Sequence, residues 1–509
     1  MKKVVALLLV AVMALSVLAG CDKKEDTPST GTTTNAPANN GSNDSSTPVK
    51  ISLYRASFNT QTPDGAQEKK IQDKLNAYLK EKGFNIEIDY HDIGSDEYTD
   101  KANLALANNE INLLWTASWE SVIGTNDLIP KNACYDLTDL LKGSTLYSSM
   151  DAGQWEATKY NGKNYFVPVY KDNVEGYDIM FRQDLIDQFG WNISSVKSLA
   201  DIEPMLADAK NAGLKYPLLL QKTAMFYRFY IDKFDFFTAD VTGNFVSVDK
   251  AKNEVVNTIQ TPEYKEYCNL IAKWAEAGYI SEDEVTKTVS DTTTQSKDWA
   301  ISWWTDIPVN DEADARYGQD VSMQTLTDRW AHSTSALGSC YCVTANSSAE
   351  QAKACVDFLG LLYTDSTFAD IYTFGIEGED FNYVTSEGGV KKVQQHSDKY
   401  NHSMWESASA TVVTPIDNEP DNKADLYKTF NGGAKTSPAA GFRFDKTPVE
   451  AQYTACQSIF DQYGFILETG GVAVADVDST IAAYQNELDA AGYQDVLAEF
   501  QKQYNAWKG

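Results

Sequence analysis

Two stretches of the chain set flat aromatic rings beside hydrogen-bonding groups. LLWTASWES places Trp115 and Trp119 four residues apart, and AISWWTDIP puts Trp303 and Trp304 next to Asp306. Aromatic faces cover the apolar C–H patches of a pyranose ring, and carboxylates or guanidinium groups take its hydroxyls in charge-assisted hydrogen bonds. Four further places carry such groups: Tyr54 with Arg55, Tyr170 and Asp172 around Lys171, Arg443 with Asp445 in GFRFD, and Glu377 in the glycine-flanked GIEGED turn. Each also has a plainer use. Trp115 and Trp119 would serve as core beneath a loop, Tyr170–Asp172 as a crossover strand, and Arg443 with Asp445 as an internal salt bridge. Adjacent strand residues point to opposite faces, so one of Trp303 and Trp304 is expected in a cleft and the other in a core. With eleven tryptophans in the chain, no single one is a strong marker.

Catalysis and metal binding have less support. Glycoside hydrolysis uses paired carboxylates, but among 72 acidic residues pairs arise by chance. No nucleophile elbow, Walker loop or zinc-protease motif is present in the sequence. The histidines, His91, His332, His396 and His402, are scattered, so no metal, cofactor or catalytic residue is expected. Six cysteines follow the first: Cys134, Cys268, Cys340, Cys342, Cys355 and Cys456. Cys340 and Cys342 would share one side of a strand. Buried, inert thiols are expected, although an exported chain could pair some of them.

The elements that must position these residues follow from periodicity. Val49–Arg55 alternates as a strand, and Gln67–Lys82 carries Ile71, Leu75, Tyr78 and Leu79 at helical spacing, with Gly83 as its stop. Phe84–Tyr90 alternates again, Asp96–Glu110 reads as a helix, and Ile111–Thr116 is a short apolar run fit for a buried strand. This β-α-β-α-β order predicts a parallel sheet. Ligands of such sheets sit beyond the carboxyl ends of the strands, here Tyr54–Asn59 and Trp115–Trp119. Further strands are predicted at 166–170 and 176–182. Helices are predicted at 261–278, 349–363 and after Gly492.

The first 20 residues combine Lys2 and Lys3, an apolar run from Val4 to Leu18, and the small residues Ala19 and Gly20 before Cys21, the build of a secretory signal peptide. Residues 22–48 contain no aromatic residue and only Ala as an apolar type. Such a segment buries too little to offset ordering entropy and is expected to be a disordered tether, roughly 30 Å end to end. Removal of Lys2 and Lys3 with the leader takes the net charge from −29 to −31, which repels nucleic acid and anionic headgroups. About 460 residues remain, enough for more than one subdomain.

Leu18-Ala19-Gly20-Cys21 resembles the bacterial lipobox. With ALANNEINLLWTASW, NGKNYFVPVYKD, TFGIEGEDFNYV, GFRFDKTPVE and ELDAAGYQDVLAEFQKQYNAW, in that order, the chain resembles extracellular solute-binding lipoproteins of ABC importers. The likeness is to the carbohydrate-type branch with a long C-terminal extension. Asn109-Glu110-Ile111-Asn112 lacks the Gly and Asp common at that turn. The resemblance implies cleavage before an acylated (palmitate-bearing) Cys21 and an α/β, two-lobed, periplasmic-binding-protein-like fold of type II with a hinge and a C-terminal helical extension. It divides the chain into leader 1–20, tether 21–48, lobe 1 at 49–166 plus about 331–372, lobe 2 at 170–330, and a region 373–509 packing across lobe 2. Hinges are expected near Val167–Asp172 and His332–Leu337. It further implies a monomer on the outer face of the cell membrane that captures an oligosaccharide and delivers it, unaltered, to a permease. Peptide or another polar solute, a non-transporting sensor role, and a surface glycosidase are the alternatives.

Overall fold

The computed structural model describes residues 47–60, 62–237, 245–290, 293–309, 317–332 and 335–508. The expected leader, Cys21 and most of the tether lie outside the described residues, as do residues 333–334 of one hinge candidate. Among the described residues no helix is long and apolar enough to cross a membrane.

The predicted opening units form. β1 (Val49–Ser57), α1 (Gly65–Glu81), β2 (Ile86–Gly94), α2 (Ser95–Ala107) and β3 (Leu113–Thr116) follow in order. In α1 the Asp64 side chain accepts hydrogen bonds from Ala66 N (2.9 Å) and Gln67 N (3.1 Å), satisfying donors that the first turn leaves open. Ile71, Leu75 and Leu79, spaced four apart, are buried. β2 is an edge strand, and α1 covers its open backbone groups. Asn76 both donates to Ile88 O (3.0 Å) and accepts from Ile88 N (2.8 Å), and Gln72 accepts from Tyr90 N (2.9 Å).

β1 pairs in parallel with β2 and β3. The sheet continues with strand Cys340–Val343, antiparallel to β3, and strand Phe166–Pro168, antiparallel to that. The first sheet is therefore mixed rather than purely parallel, because late chain returns to fill its far side. A second sheet holds Val321–Thr325, Tyr177–Arg182, Trp299–Thr305 and Tyr216–Leu218 in that order.

Each sheet has its own hydrophobic core. The first joins Ile51 through Tyr170 to residues from Leu337 to Tyr427, and the second joins Ile179 through Ile301 to residues from Ala439 to Tyr504. Residues 374–427 thus pack on the first core, where the sequence reading sent all of 373–509 across the second lobe. The reversal occurs at Gly375, whose φ of +95° ends the helix Ser366–Phe374. A Cβ there would meet the Asp380 carboxylate at 2.4 Å. Asp380 instead accepts from Gln67 of α1 at 2.6 Å, which fixes the turn to the first lobe.

Three passes of the chain lie side by side where the cores meet. Glu175 exchanges two backbone hydrogen bonds with Trp330 (2.9 and 2.8 Å), and strand Trp330–Ala331 pairs with Lys435–Thr436. Glu175 also pairs with His332 and accepts from Tyr177 Oη. Burial alone would raise its carboxyl, but the His332 charge and these hydrogen bonds hold it down at about 2.

Candidate functional site

Between the two lobes lies a cavity of about 510 Å³, within the ~300–1,000 Å³ range of small-molecule sites. Its lobe 2 wall is the end of strand Trp299–Thr305, with Trp303, Trp304 and Thr305, plus Gln221. Gln221 Nε2 donates to Ser302 Oγ (2.9 Å), and Trp303 Nε1 donates to Leu220 O (3.0 Å), so both walls of this corner are fixed. The Arg228 guanidinium covers one face of Trp303 at 3.5 Å. Behind them, burial and the charge of Asp306 push the Asp178 carboxyl up to about 7.

The opposite wall is a loop, His402 to Trp405, with Ile416, Glu419, Lys423 and Tyr427 beyond it. That loop is clamped to the carboxyl ends of β1 and β2. Glu406 accepts from Ser403 N (2.8 Å) and, past the end of β1, from Phe58 N (3.3 Å). His402, fully buried, bridges Glu406 (3.2 Å) and Asp92 of β2 (3.1 Å). Burial and the Arg55 charge would lower the imidazole's pKa, but Asp92 and Glu406 outweigh them, and the net shift is upward. Held this way, Trp405 is half-buried with Phe58 behind it at 4.9 Å and Trp115 at 6.4 Å. The wall's charges are matched: Lys171 with Asp172 (3.2 Å) and Lys423 with Glu419 (2.7 Å). The arrangement offers ring faces and paired polar groups to a solute held between lobes.

The residues anticipated from sequence divide into three groups. Asp172, Trp303 and Trp304 line the cavity, so both adjacent tryptophans contribute where one was expected. Trp119, Asp306 and Tyr170 lie beside it. Trp119 is 38 % exposed, packs on Phe58 at 5.8 Å and donates to Gly338 O at 2.7 Å. Asp306 is buried and holds Arg329 at 2.5 Å, and buried Tyr170 bridges to Ser409 through its backbone. The remaining expectations are corrected. Trp115 is fully buried, its Nε1 donating to Ser339 Oγ (3.0 Å); it backs the wall and presents no face to a solute. Arg55 is fully buried, donating to Tyr372 O (2.7 Å) and Ser407 Oγ (2.8 Å) over the Tyr372 ring. Alternation turns Tyr54 to the other face, where its ring packs tilted against His91 at 4.3 Å. Arg443 donates to Ala157 O and Phe442 O (both 3.3 Å), so among the described residues it pairs with backbone carbonyls rather than with Asp445. Glu377 is exposed in a turn on the α1 side.

Trp405, His402, Gln221 and Lys423 were missed. Trp405, His402 and Gln221 lie in loops or short helical turns without periodicity, and Lys423 opens the helix Lys423–Gly432; only the tryptophan carried a signal, one shared with ten others.

A family model described as bacterial extracellular solute-binding protein matches residues 74–413, and one described as a domain of unknown function (DUF3502) matches 438–509. A "Carbohydrate ABC transporter substrate-binding protein" of Streptococcus pneumoniae serotype 4 is 25 % identical over 456 residues, 87 % of this chain and 88 % of the relative. The N-glycan transport solute binding protein of S. pneumoniae superposes with a TM-score of 0.75 at 24 % identity, over 90 % of this chain and 98 % of that one. An HMO-binding, ABC-transporter-associated solute-binding protein of Bifidobacterium longum infantis gives 0.62 at 14 % identity, over 91 % and 99 %. The two cores, the three crossings, the cavity between them and the family match over 74–413 agree: the chain belongs to the bacterial extracellular solute-binding proteins.

Proposed function

We propose that this protein captures an uncharged oligosaccharide between its lobes, closes over it about the 175–330–435 crossings, and hands it unaltered to an ABC permease. The observation that carries the reading is the cavity itself. Trp405 faces it from one lobe and Trp303 and Trp304 from the other, and its lysines are neutralised by adjacent acids. Matched charges give no reward to an anionic or cationic solute, while the rings and amides suit a polyhydroxylated one. The names of the relatives support this, since the S. pneumoniae N-glycan protein was solved in complex with Man1GlcNAc and with Man5GlcNAc. Trp119 would extend the platform for a longer chain. The protein acts as a monomer without a cofactor or catalytic step, moored to the outer membrane face through acylated Cys21.

A thermal-shift screen of residues 47–509 against neutral oligosaccharides, acidic oligosaccharides and peptides tests this. A ligand that binds only the folded form raises the midpoint. Neutral oligosaccharides are expected to do so. A shift confined to peptides or acidic sugars would remove the reading.

A further inference from the structure

We propose that Cys134 and Cys342 form a disulfide in the exported protein. They are 208 positions apart in sequence, yet a two-bond antiparallel bridge brings their segments together. Tyr135 N donates to Val343 O and Ala345 N to Ala133 O, both at 2.8 Å, so that Cys134 faces Thr344 in an antiparallel bridge. In that register Cys134 and Cys342 are diagonal neighbours on one face. Their sulfurs stand 3.1 Å apart, in contact but unbonded. Cys268 and Cys456 belong to the other core, and Cys340 and Cys355 are buried within the first.

Closing the bond requires little rearrangement and an oxidant. Each thiol gives up one hydrogen. The two electrons and two protons pass to the disulfide of an extracytoplasmic thiol oxidant, which leaves as a dithiol. Cys134 is half-buried and Cys342 buried, so Cys134 meets the oxidant first and forms a mixed disulfide. The Cys342 sulfur then displaces the oxidant. Burial pushes the Cys342 thiol well above its usual range, so this second step belongs to folding, before the strand is sealed in the sheet. Outside the cytoplasm such a bond persists.

The position gives the bond a use. Strand Cys340–Val343 lies between β3 and strand Phe166–Pro168, and the latter leads directly into the Lys171–Asp172 part of the cavity. A covalent tie at Cys342 holds this strand against residues 133–135 and stiffens lobe 1 next to the hinge without bridging the lobes. The inference rests on export of the chain and is independent of which solute is bound.

Two measurements decide it. The leader-cleaved full chain is unfolded, reduced, refolded with oxidised glutathione, alkylated with iodoacetamide and digested without reductant for mass spectrometry. Protein taken from the cell surface directly into iodoacetamide is mapped in the same way. Both samples are expected to yield the Cys134 and Cys342 peptides joined, lighter by two hydrogens than the free pair and separated by dithiothreitol. The thermal midpoint of the refolded chain should fall by several degrees on reduction, and Cys134→Ser should abolish that fall. Alkylated Cys134 and Cys342 in both samples, or either sulfur joined to another cysteine, overturns the assignment. A linked pair only after glutathione would likewise overturn it for the exported protein.

Discussion

Replacing Trp405 with Ala tests whether the cleft grips by stacking. A ring lying on one indole face removes about 80 Å² of apolar surface from water over both partners, worth about 2 kcal/mol at ~25 cal/mol/Å². Phe58 and Trp115 already fix the indole, so little of that gain is lost to ordering the side chain. Trp405→Ala should therefore weaken binding of the best neutral oligosaccharide by about 30-fold, and Trp405→Phe by less. Isothermal titration calorimetry on residues 47–509 reads both, with circular dichroism confirming that the variants fold. Affinity within about threefold of the parent for Trp405→Ala, Trp303→Ala and Trp304→Ala alike would refute the stacking argument.

Other expectations follow from the same geometry. Arg55→Met removes a buried cation that satisfies Tyr372 O and Ser407 Oγ, and should cost about 3 kcal/mol in urea unfolding; a loss under about 1 kcal/mol would contradict its structural role. Glu468 is buried beside Tyr264 and Tyr267, and burial pushes its carboxyl up to about 8. The native state keeps this proton from the ordinary 4.5 up to about 8 while the unfolded chain has lost it, so stability falls as pH rises through that window and levels off above it. Glu468→Gln should remove that slope and raise the thermal midpoint at pH about 8; an unchanged pH profile would show the site to be wet. His402 shifts in the same direction for a different reason: as a cation it is favoured by Asp92 and Glu406 against burial and the Arg55 charge. Its support for the Trp405 loop is complete below its ordinary value of 6.5 and is lost as pH rises through its higher folded value. Solute affinity should drop in alkali, and His402→Gln should flatten that drop, leaving a profile unlike the parent's. Cys21→Ala should move the protein from the detergent phase to the aqueous phase in Triton X-114 partitioning; continued partitioning with detergent would end the anchor proposal.

Much of the scaffold was readable because it rests on local periodicity. Ile71, Leu75 and Leu79 mark α1, and the alternation from Val49 to Leu53 marks β1. The mixed first sheet was not readable, since Cys340–Val343 pairs with Leu113–Thr116 far back along the chain, which no local pattern encodes. The third crossing, Lys435–Thr436, is two exposed residues long and carries no strand signature. Among the site residues, Trp303 and Trp304 were found because they are adjacent tryptophans on a strand beside Asp306, and alternation sends at least one of them out of the core. Arg55 was misassigned because its type suggests a ligand contact, whereas its inward position in the β1 alternation, shared with Leu53, buries it. Trp405 was missed because its placement depends on Glu406 and His402 tying a late loop to β1 and β2.

The most direct measurement is a calorimetric titration of residues 47–509 with a neutral oligosaccharide, followed by recovery and mass analysis of the sugar. The account predicts saturable one-to-one binding with the sugar returned intact. Absence of binding across neutral oligosaccharides, or recovery of a shortened sugar, would contradict it.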